Sequence, residues 1–433
     1  MEMNYIAGNY IAKQSPNNWT EIGELTRPPF GDYNLPFNLN DLIYIDVKYG
    51  NIFFITKKEL YYANNSSDNH SCSWPPDNNR NQVDNKSVIQ LIDLPIKITP
   101  LSYILKIVSG EGHNIVLMST GEIIVFGSNN NGQLGISNFC KVNKPTLVPS
   151  SEFNGEKIRD VACGYYHTLI LTDSGIVYAS GRNSNNQIGC TLKNRDVSKF
   201  VPITFQKNNV CYSDGGKNLK IKKIISGSHH SLFLTEDGIA YATGDDNFYA
   251  LGKNRGTYTI FSPLEPFCSE QIHIKDIWCG SLSTFVQTID DIIYVCGTNN
   301  DNALFLKNVD QKTDGFVMCE YLSKKSIQSI SGFYSMIAVS ETKDVYVCGN
   351  NVVNQLNKDN QMPNSPPRFE PMLSIILKKY DNFNYYFSSG FRACGLSLYK
   401  DKHYNPIYSR LINFLFNSEI NKKFSDIDIV CSH

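Results

Sequence analysis

Three histidines in this 433-residue chain, His113, His167 and His230, have the side chain best suited to chemistry and recur in one setting. Each stands three residues after a glycine and opens an apolar run. Imidazole is a frequent metal ligand and a base poised near neutral pH, so a set of them raises both possibilities. Two further copies of the setting carry Ser283 and Ser335 in place of the histidine. A hydrogen bond repeated by the fold accounts for that exchange better than a shared metal or a proton relay. No catalytic, cofactor-binding or metal-ligating residue is therefore assigned.

The twelve cysteines read the same way. Cys163 and Cys279 precede the first glycine of a repeat, and Cys296 and Cys348 precede a later one. Cysteine behaves as a small buried hydrophobe in such places. No C-x-x-C spacing suggests zinc, and reduced thiols are expected for an intracellular chain. Trp278, beside Cys279, reads as core. No phosphate-binding loop, nucleophile elbow or paired-carboxylate signature occurs, so catalysis by this chain alone is not expected.

The elements that must position these residues form a repeat. Val161 to Gly189 runs from Gly164 through His167 to an apolar stretch, then a turn at Asp173-Ser174-Gly175. A second β-rich stretch ends at Gly181, and a polar loop closes at Gln187-Ile188-Gly189. Short β-branched and aromatic runs bounded by Gly, Asp, Asn and Ser predict strands joined by a hairpin. The glycine after the second run recurs at 127, 181, 244, 297 and 349, at intervals of 54, 63, 53 and 52 residues. A weaker copy spans Asp46 to Asn64, and Phe387 to Tyr399 supplies a first half. Tyr5-Ile6-Ala7-Gly8 looks like the missing second half, so the ends are expected to pair and close a ring of seven units.

A closed ring suits the physics. Strands covered on both faces read as continuous apolar runs, as Leu169-Ile170-Leu171 does. Each buried Leu, Ile or Phe contributes about 1.5–3 kcal/mol, which a lone hairpin could not collect. The predicted fold is all-β: a seven-bladed β-propeller of four-stranded antiparallel blades over residues 1–400. A short helix is predicted in a tail over 401–433, where Ile407, Leu411, Ile412, Leu415 and Phe416 fall at helical spacing. The polar stretch 64–82 predicts a surface loop, the proline-bearing stretch 357–371 an irregular connection, and Asp214-Gly215-Gly216 the turn of an extra hairpin.

The G-x-x-H…T-x-x-G-x-[VI]-[YF]-x-x-G…Q-[LI]-G pattern resembles the repeat of the regulator-of-chromosome-condensation family. That family's fold is a seven-bladed propeller closed through both termini, and the match covers roughly residues 4–400. WD repeats run about 40–45 residues with Gly-His and Trp-Asp signals that this chain lacks. The final Phe424-Ser425-Asp426 and following strand signal are similar to the opening of a BTB/POZ domain, a fold linked to cullin ligases.

Net charge is −1 with 19% charged residues, so no basic footprint invites nucleic acid. No secretory leader and no spanning segment are evident. The chain is expected to be a monomer in the cytoplasm, with the nucleus open, and to need no cofactor. The expected function is a non-catalytic adaptor that binds protein partners through loops on one propeller face, as part of a BTB/cullin-type ubiquitin ligase assembly. The alternative, which the resemblance implies, is guanine-nucleotide exchange on a small GTPase. That activity relies on a protruding wedge after the second-strand glycine. Here the loops 128–135, 182–189 and 245–252 are all eight residues long, and none is expected to protrude.

Overall fold

The computed structural model describes residues 89–350 except 191–194, 208–209, 217–218, 246–247, 253–256, 300–301, 307–311, 314 and 333–334. Outside that span it describes residues 4–7, 10–15, 18–24, 42–48, 51–64, 364–369, 374, 384–389, 394–399, 411–416 and 429–432.

The described strands fall into seven antiparallel meanders of four, the blades, each with its strands in sequence order. The first comprises Leu42–Lys48, Asn51–Thr56, Leu60–Asn64 and Ile89–Ile92. The second comprises Ile104–Ser109, His113–Met118, Ile123–Gly127 and Val142–Val148. The third comprises Ile158–Cys163, His167–Thr172, Val177–Gly181 and Val197–Pro202. The fourth has Ile221–Ser226, His230–Thr235, Ala240–Asp245 and Thr257–Pro263. The fifth has Ile274–Cys279, Ser283–Thr288, Ile293–Gly297 and Val317–Met318. The sixth has Ile327–Gly332, Ser335–Ser340, Val345–Asn350 and Asn364–Phe369. The seventh has Asn384–Ser389, Cys394–Tyr399, Leu411–Phe416 and Ile429–Ser432.

The first strand of each blade lies beside the first strand of the next, and that of the seventh returns to that of the first. The sheets therefore form a closed ring around the first strands. The second strands of the second to fifth blades are buried along their whole length, as in His167–Thr172, because a neighbouring blade covers each face. The outermost strand Val142–Val148, by contrast, is mostly exposed or half-buried. The core accordingly lies between blades. Leu169, Leu171, Val177 and Ala179 of the third pack with Phe233, Tyr241 and Phe261 of the fourth. The rings of Phe233 and Tyr241 stack at 4.7 Å there.

In the second, third, fourth and sixth blades the glycine near the end of the third strand sits where the register slips, between Ala179 and Gly181 in the third. Gly181 has φ +110, and a Cβ on it would strike the carbonyl oxygen of Tyr166. Both demands, positive φ and close backbone approach, leave only glycine unstrained. This explains why the second-run glycine was the clearest marker of the period.

Three expectations differ from what forms. Asn4–Ala7 pairs with Tyr10–Ser15 in a three-stranded sheet with Asn18–Glu24, and it lies beside Ile429–Ser432 of the seventh blade without joining that blade's ladder. Leu411–Phe416 is a strand where a helix was predicted, and it pairs with Cys394–Tyr399 in register Cys394↔Phe416. The physical reason for both is LINFLF, an apolar run that a sheet can use. It also follows its partner closely in the chain, so pairing there closes a far shorter loop than pairing with the other terminus. Ile429–Ser432 then pairs with that strand, so the seventh blade runs across residue 400.

Asn364–Phe369 forms a strand despite Pro366 and Pro367, because it is the outermost of its blade. An extra hairpin forms from Phe205–Lys207 and Val210–Tyr212, joined to the edge of the fourth blade at Phe205↔Phe261, but Asp214-Gly215-Gly216 follows its second strand and is not the turn between the two. The loop expected at 64–82 lies, from 65 on, outside the described residues.

Candidate functional site on the loop face

The histidines come first, because they explain what the rest of the site stands on. His113 Nε2 lies 3.2 Å from Thr168 Oγ1 of the next blade, and that hydroxyl donates to Gln133 O at 2.7 Å. His167 Nε2 lies 2.8 Å from Ser231 Oγ, which donates to Gln187 O at 2.6 Å. His230 Nε2 lies 3.1 Å from Thr284 Oγ1, which donates to Ala250 O at 2.6 Å. Each hydroxyl spends its one hydrogen on the carbonyl, so Nε2 must carry the proton it receives. Burial holds His113 and His230 down to about 3 and His167 well below its ordinary value, so all three are neutral donors.

The spacing Gly-x-x-His has a steric cause. A Cβ on Gly110, Gly164 or Gly227 would collide with Cε1 and Nδ1 of the histidine three residues on. Each imidazole thus lies flat on its own glycine and reaches the next blade. The histidines are spread over three seams rather than brought together. Among the described residues, no cluster of three or more His, Cys, Asp or Glu is placed to hold a metal.

Between each glycine and histidine, two residues link the first strand to the second at one end of the blade. Their backbone is tied across blades: Glu111 N donates to Tyr165 O (3.0 Å), Tyr165 N to Ser228 O (3.2 Å) and Ser228 N to Ser281 O (2.8 Å). It is also tied within blades, where Arg182 N donates to Tyr166 O (2.8 Å) and Asp245 N to His229 O (3.2 Å). The frame repeats while its side chains do not. Constant backbone with varied side chains is how a scaffold presents a recognition surface.

In the third and fourth blades those side chains make an aromatic group. Tyr165 meets His229 edge-on at 5.3 Å and Tyr166 at 5.9 Å, and His229 stacks on Phe248 at 6.1 Å. The Arg182 guanidinium lies over Tyr166, 5.5 Å from its centroid, and Nε donates to Ser184 Oγ at 2.7 Å. Phe248 is 38% exposed, while Tyr165, Tyr166, Arg182 and His229 are half-buried. Partial burial and the positive charge of Arg182 lower the His229 pKa, so its ring is neutral at pH 7. Tyr and Arg gathered on a rigid patch are the types that dominate binding energy at interfaces.

The sequence reading missed this group, although Tyr165-Tyr166 and Ser228-His229 are the variable pair inside the Gly-x-x-His frame. Of the eight-residue loops, 128–135 and 182–189 are compact. Asn186 N donates to Asn183 O and Gly189 N to Asn186 O, both at 3.0 Å, and 128–135 turns alike. Trp278 is core, 6% exposed, with the Lys223 ammonium 5.0 Å from its ring. Cys296 and Cys348 are buried, and Cys163 and Cys279 half-buried.

A ring of four-stranded blades with buried histidine ties between them defines a β-propeller, and the fold by itself does not settle what its loop face does. The RCC1-like domain model matches residues 76–382, and this chain belongs to that family. It is 36% identical over 143 residues to the X-linked retinitis pigmentosa GTPase regulator of Canis lupus familiaris, covering 33% of this chain and 13% of that protein. It is 32% identical over 165 residues to the guanine nucleotide exchange factor SRM1 of Saccharomyces cerevisiae, covering 35% of this chain and 32% of that protein. The chain therefore spans about a third or less of the length of these two relatives. The crystal structure of human WBSCR16 superposes with a TM-score of 0.61 at 16% identity, covering 80% of this chain and 84% of that one. Among the described residues, no helix is long and apolar enough to cross a membrane.

Proposed function

We propose that this propeller is a non-catalytic adaptor whose loop face, at the third and fourth blades, docks a protein partner. The observation that carries the reading is the half-exposed group of Tyr165, Tyr166, Arg182, His229 and Phe248 on a hydrogen-bonded frame. Its composition matches an interface anchor, and its support is rigid, so little ordering entropy opposes binding. Recruitment of that partner to a cullin-type ligase assembly belongs to the same reading. The test compares proteins cross-linked to the wild-type chain in native cells with those cross-linked to a Tyr166→Ala/Phe248→Ala chain of matched melting temperature. Partners common to repeat experiments should drop out of the variant; identical sets from both chains would end the proposal.

Guanine-nucleotide exchange is the second reading, favoured by the exchange-factor relative. Against it stand the compact eight-residue loops 128–135 and 182–189, whose turns fold back on their own backbone. Purified chain should leave nucleotide release from Ran-type and Rab-type GTPases at its intrinsic rate. A clear acceleration would replace the adaptor reading with this one.

A further inference from the structure

Arg182 stands out within the docking face. Its guanidinium is held in place by Tyr166 beneath and Ser184 at Nε, and among the described residues no carboxylate pairs with it. Asp245 of the fourth blade is 5% exposed and receives the side-chain amide of Asn185 at 2.6 Å. The two terminal nitrogens of Arg182 are thus left as an open fork on an aromatic floor. A second open group lies beside it: His229 Nδ1 is withdrawn from solvent and has no hydrogen-bond partner. A guanidinium fixed by stacking matches a carboxylate bidentately, and it loses little freedom when it does so.

We propose that Arg182 receives an aspartate or glutamate carboxylate from an acidic linear segment of a protein partner, whose apolar neighbour packs on Phe248 and Tyr165. This rests on the loop face being the docking surface. Charge complementarity selects the occupant: the face offers, over aromatic rings, a cation that no carboxylate among the described residues pairs. A carboxylate satisfies both terminal nitrogens, and an adjacent apolar side chain covers the exposed edge of Phe248.

The test is selection of random linear peptides displayed on phage against the folded full chain, followed by titration of synthetic winners. Winners should carry Asp or Glu next to an aromatic or aliphatic residue. Arg182→Gln should weaken them about tenfold or more, and Arg182→Lys should recover only part, as expected when one point charge replaces a fork. Replacing the peptide's acid by its amide should cost the same factor in wild type and nothing further in the Arg182→Gln chain. Winners that are basic or uncharged, or a cycle with no coupling, overturn the carboxylate assignment. If Tyr165→Ala and Phe248→Ala still weaken such winners, the docking face survives that failure; if no face variant matters, both readings fall. A selection that enriches nothing overturns the linear-segment proposal.

Discussion

Four consecutive seams between blades solve one packing problem in two ways. From the second blade to the fifth, a buried neutral imidazole donates to a hydroxyl that donates to a loop carbonyl. At the seam between the fifth and sixth, Ser283 replaces the histidine and Met336 replaces the hydroxyl residue. Met336 fills the space, its Sδ lying 3.3 Å from where a Cβ on Gly280 would stand. Lys275 Nζ, held by Asp291 Oδ1 of its own blade at 2.8 Å, reaches Glu341 Oε1 across this seam at 3.6 Å, and ion pairs cross two of the histidine seams as well, Lys106–Asp160 at 2.7 Å and Lys223–Asp276 at 2.8 Å. A half-made buried network costs more than an apolar one, so the histidine and the hydroxyl are exchanged together or not at all. The fold thus tolerates either joint, but the two must respond differently to acid and to substitution.

Acid should produce the largest effect. The folded pKa values of His113 and His230 are about 3, below the ordinary 6.5, so unfolding takes up protons as the pH falls. Their stabilisation is complete above about pH 6.5 and is lost progressively toward pH 3. At 1.36 kcal/mol per pH unit, each contributes a loss of about 2 kcal/mol at pH 5. His167 adds to it in the same direction. Urea melts at pH 7, 6 and 5 should therefore show a steep decline, and a flat profile would mean that the imidazoles are not buried as described.

The next effect separates the two kinds of seam by steric demand. Gly164→Ala places a Cβ against the His167 ring, which has no room to retreat, at a cost on the order of 3 kcal/mol. Gly280→Ala meets chiefly the small Ser283 hydroxyl, which can rotate, and should cost about 1 kcal/mol. Equal losses measured by chemical denaturation would remove the distinction between the seams.

Much of this was legible in the sequence because it is local. The glycine near the end of the third strand in the second to sixth blades and the Gly-x-x-His spacing answer to backbone and ring contacts within one hairpin. They therefore showed as a period. The partner of each histidine was not legible, although it sits one residue after the next histidine, as Thr168 and Ser231 do. That offset is a property of the ring and of nothing along the chain. The terminal blade was misread for a related reason: Leu411, Ile412, Leu415 and Phe416 fit a helix period, and only the free edge beside Cys394–Tyr399 makes them a strand. The aromatic docking group escaped notice because its members are what the repeat leaves free to vary.

Converting one joint into the other sharpens the comparison further. His230→Ser alone should cost about 2 kcal/mol or more, from a cavity and from a Thr284 hydroxyl that loses its donor. Adding Thr284→Met should recover part of that loss by copying the Ser283 and Met336 arrangement. The double variant should also lose one proton's worth of acid sensitivity relative to wild type. If the second substitution makes matters worse, the sixth blade's solution depends on its own surroundings and not on the pair.

The smallest effect on stability should come from the loop face. Arg182→Gln removes a stacked side chain that is half-exposed and makes one side-chain hydrogen bond, to Ser184. Surface changes of this kind stay within about 0.5 kcal/mol, so its melting curve and acid profile should overlay those of wild type. Partner binding, by contrast, should fall sharply. This separation follows from how the blades are built: the seams are tied by backbone, histidine and hydroxyl beneath the face, and the side chains above them carry no part of that load. A loss of stability comparable to that of Gly164→Ala would mean that Arg182 helps hold the third and fourth blades together. The aromatic group would then be another joint rather than a surface for something else.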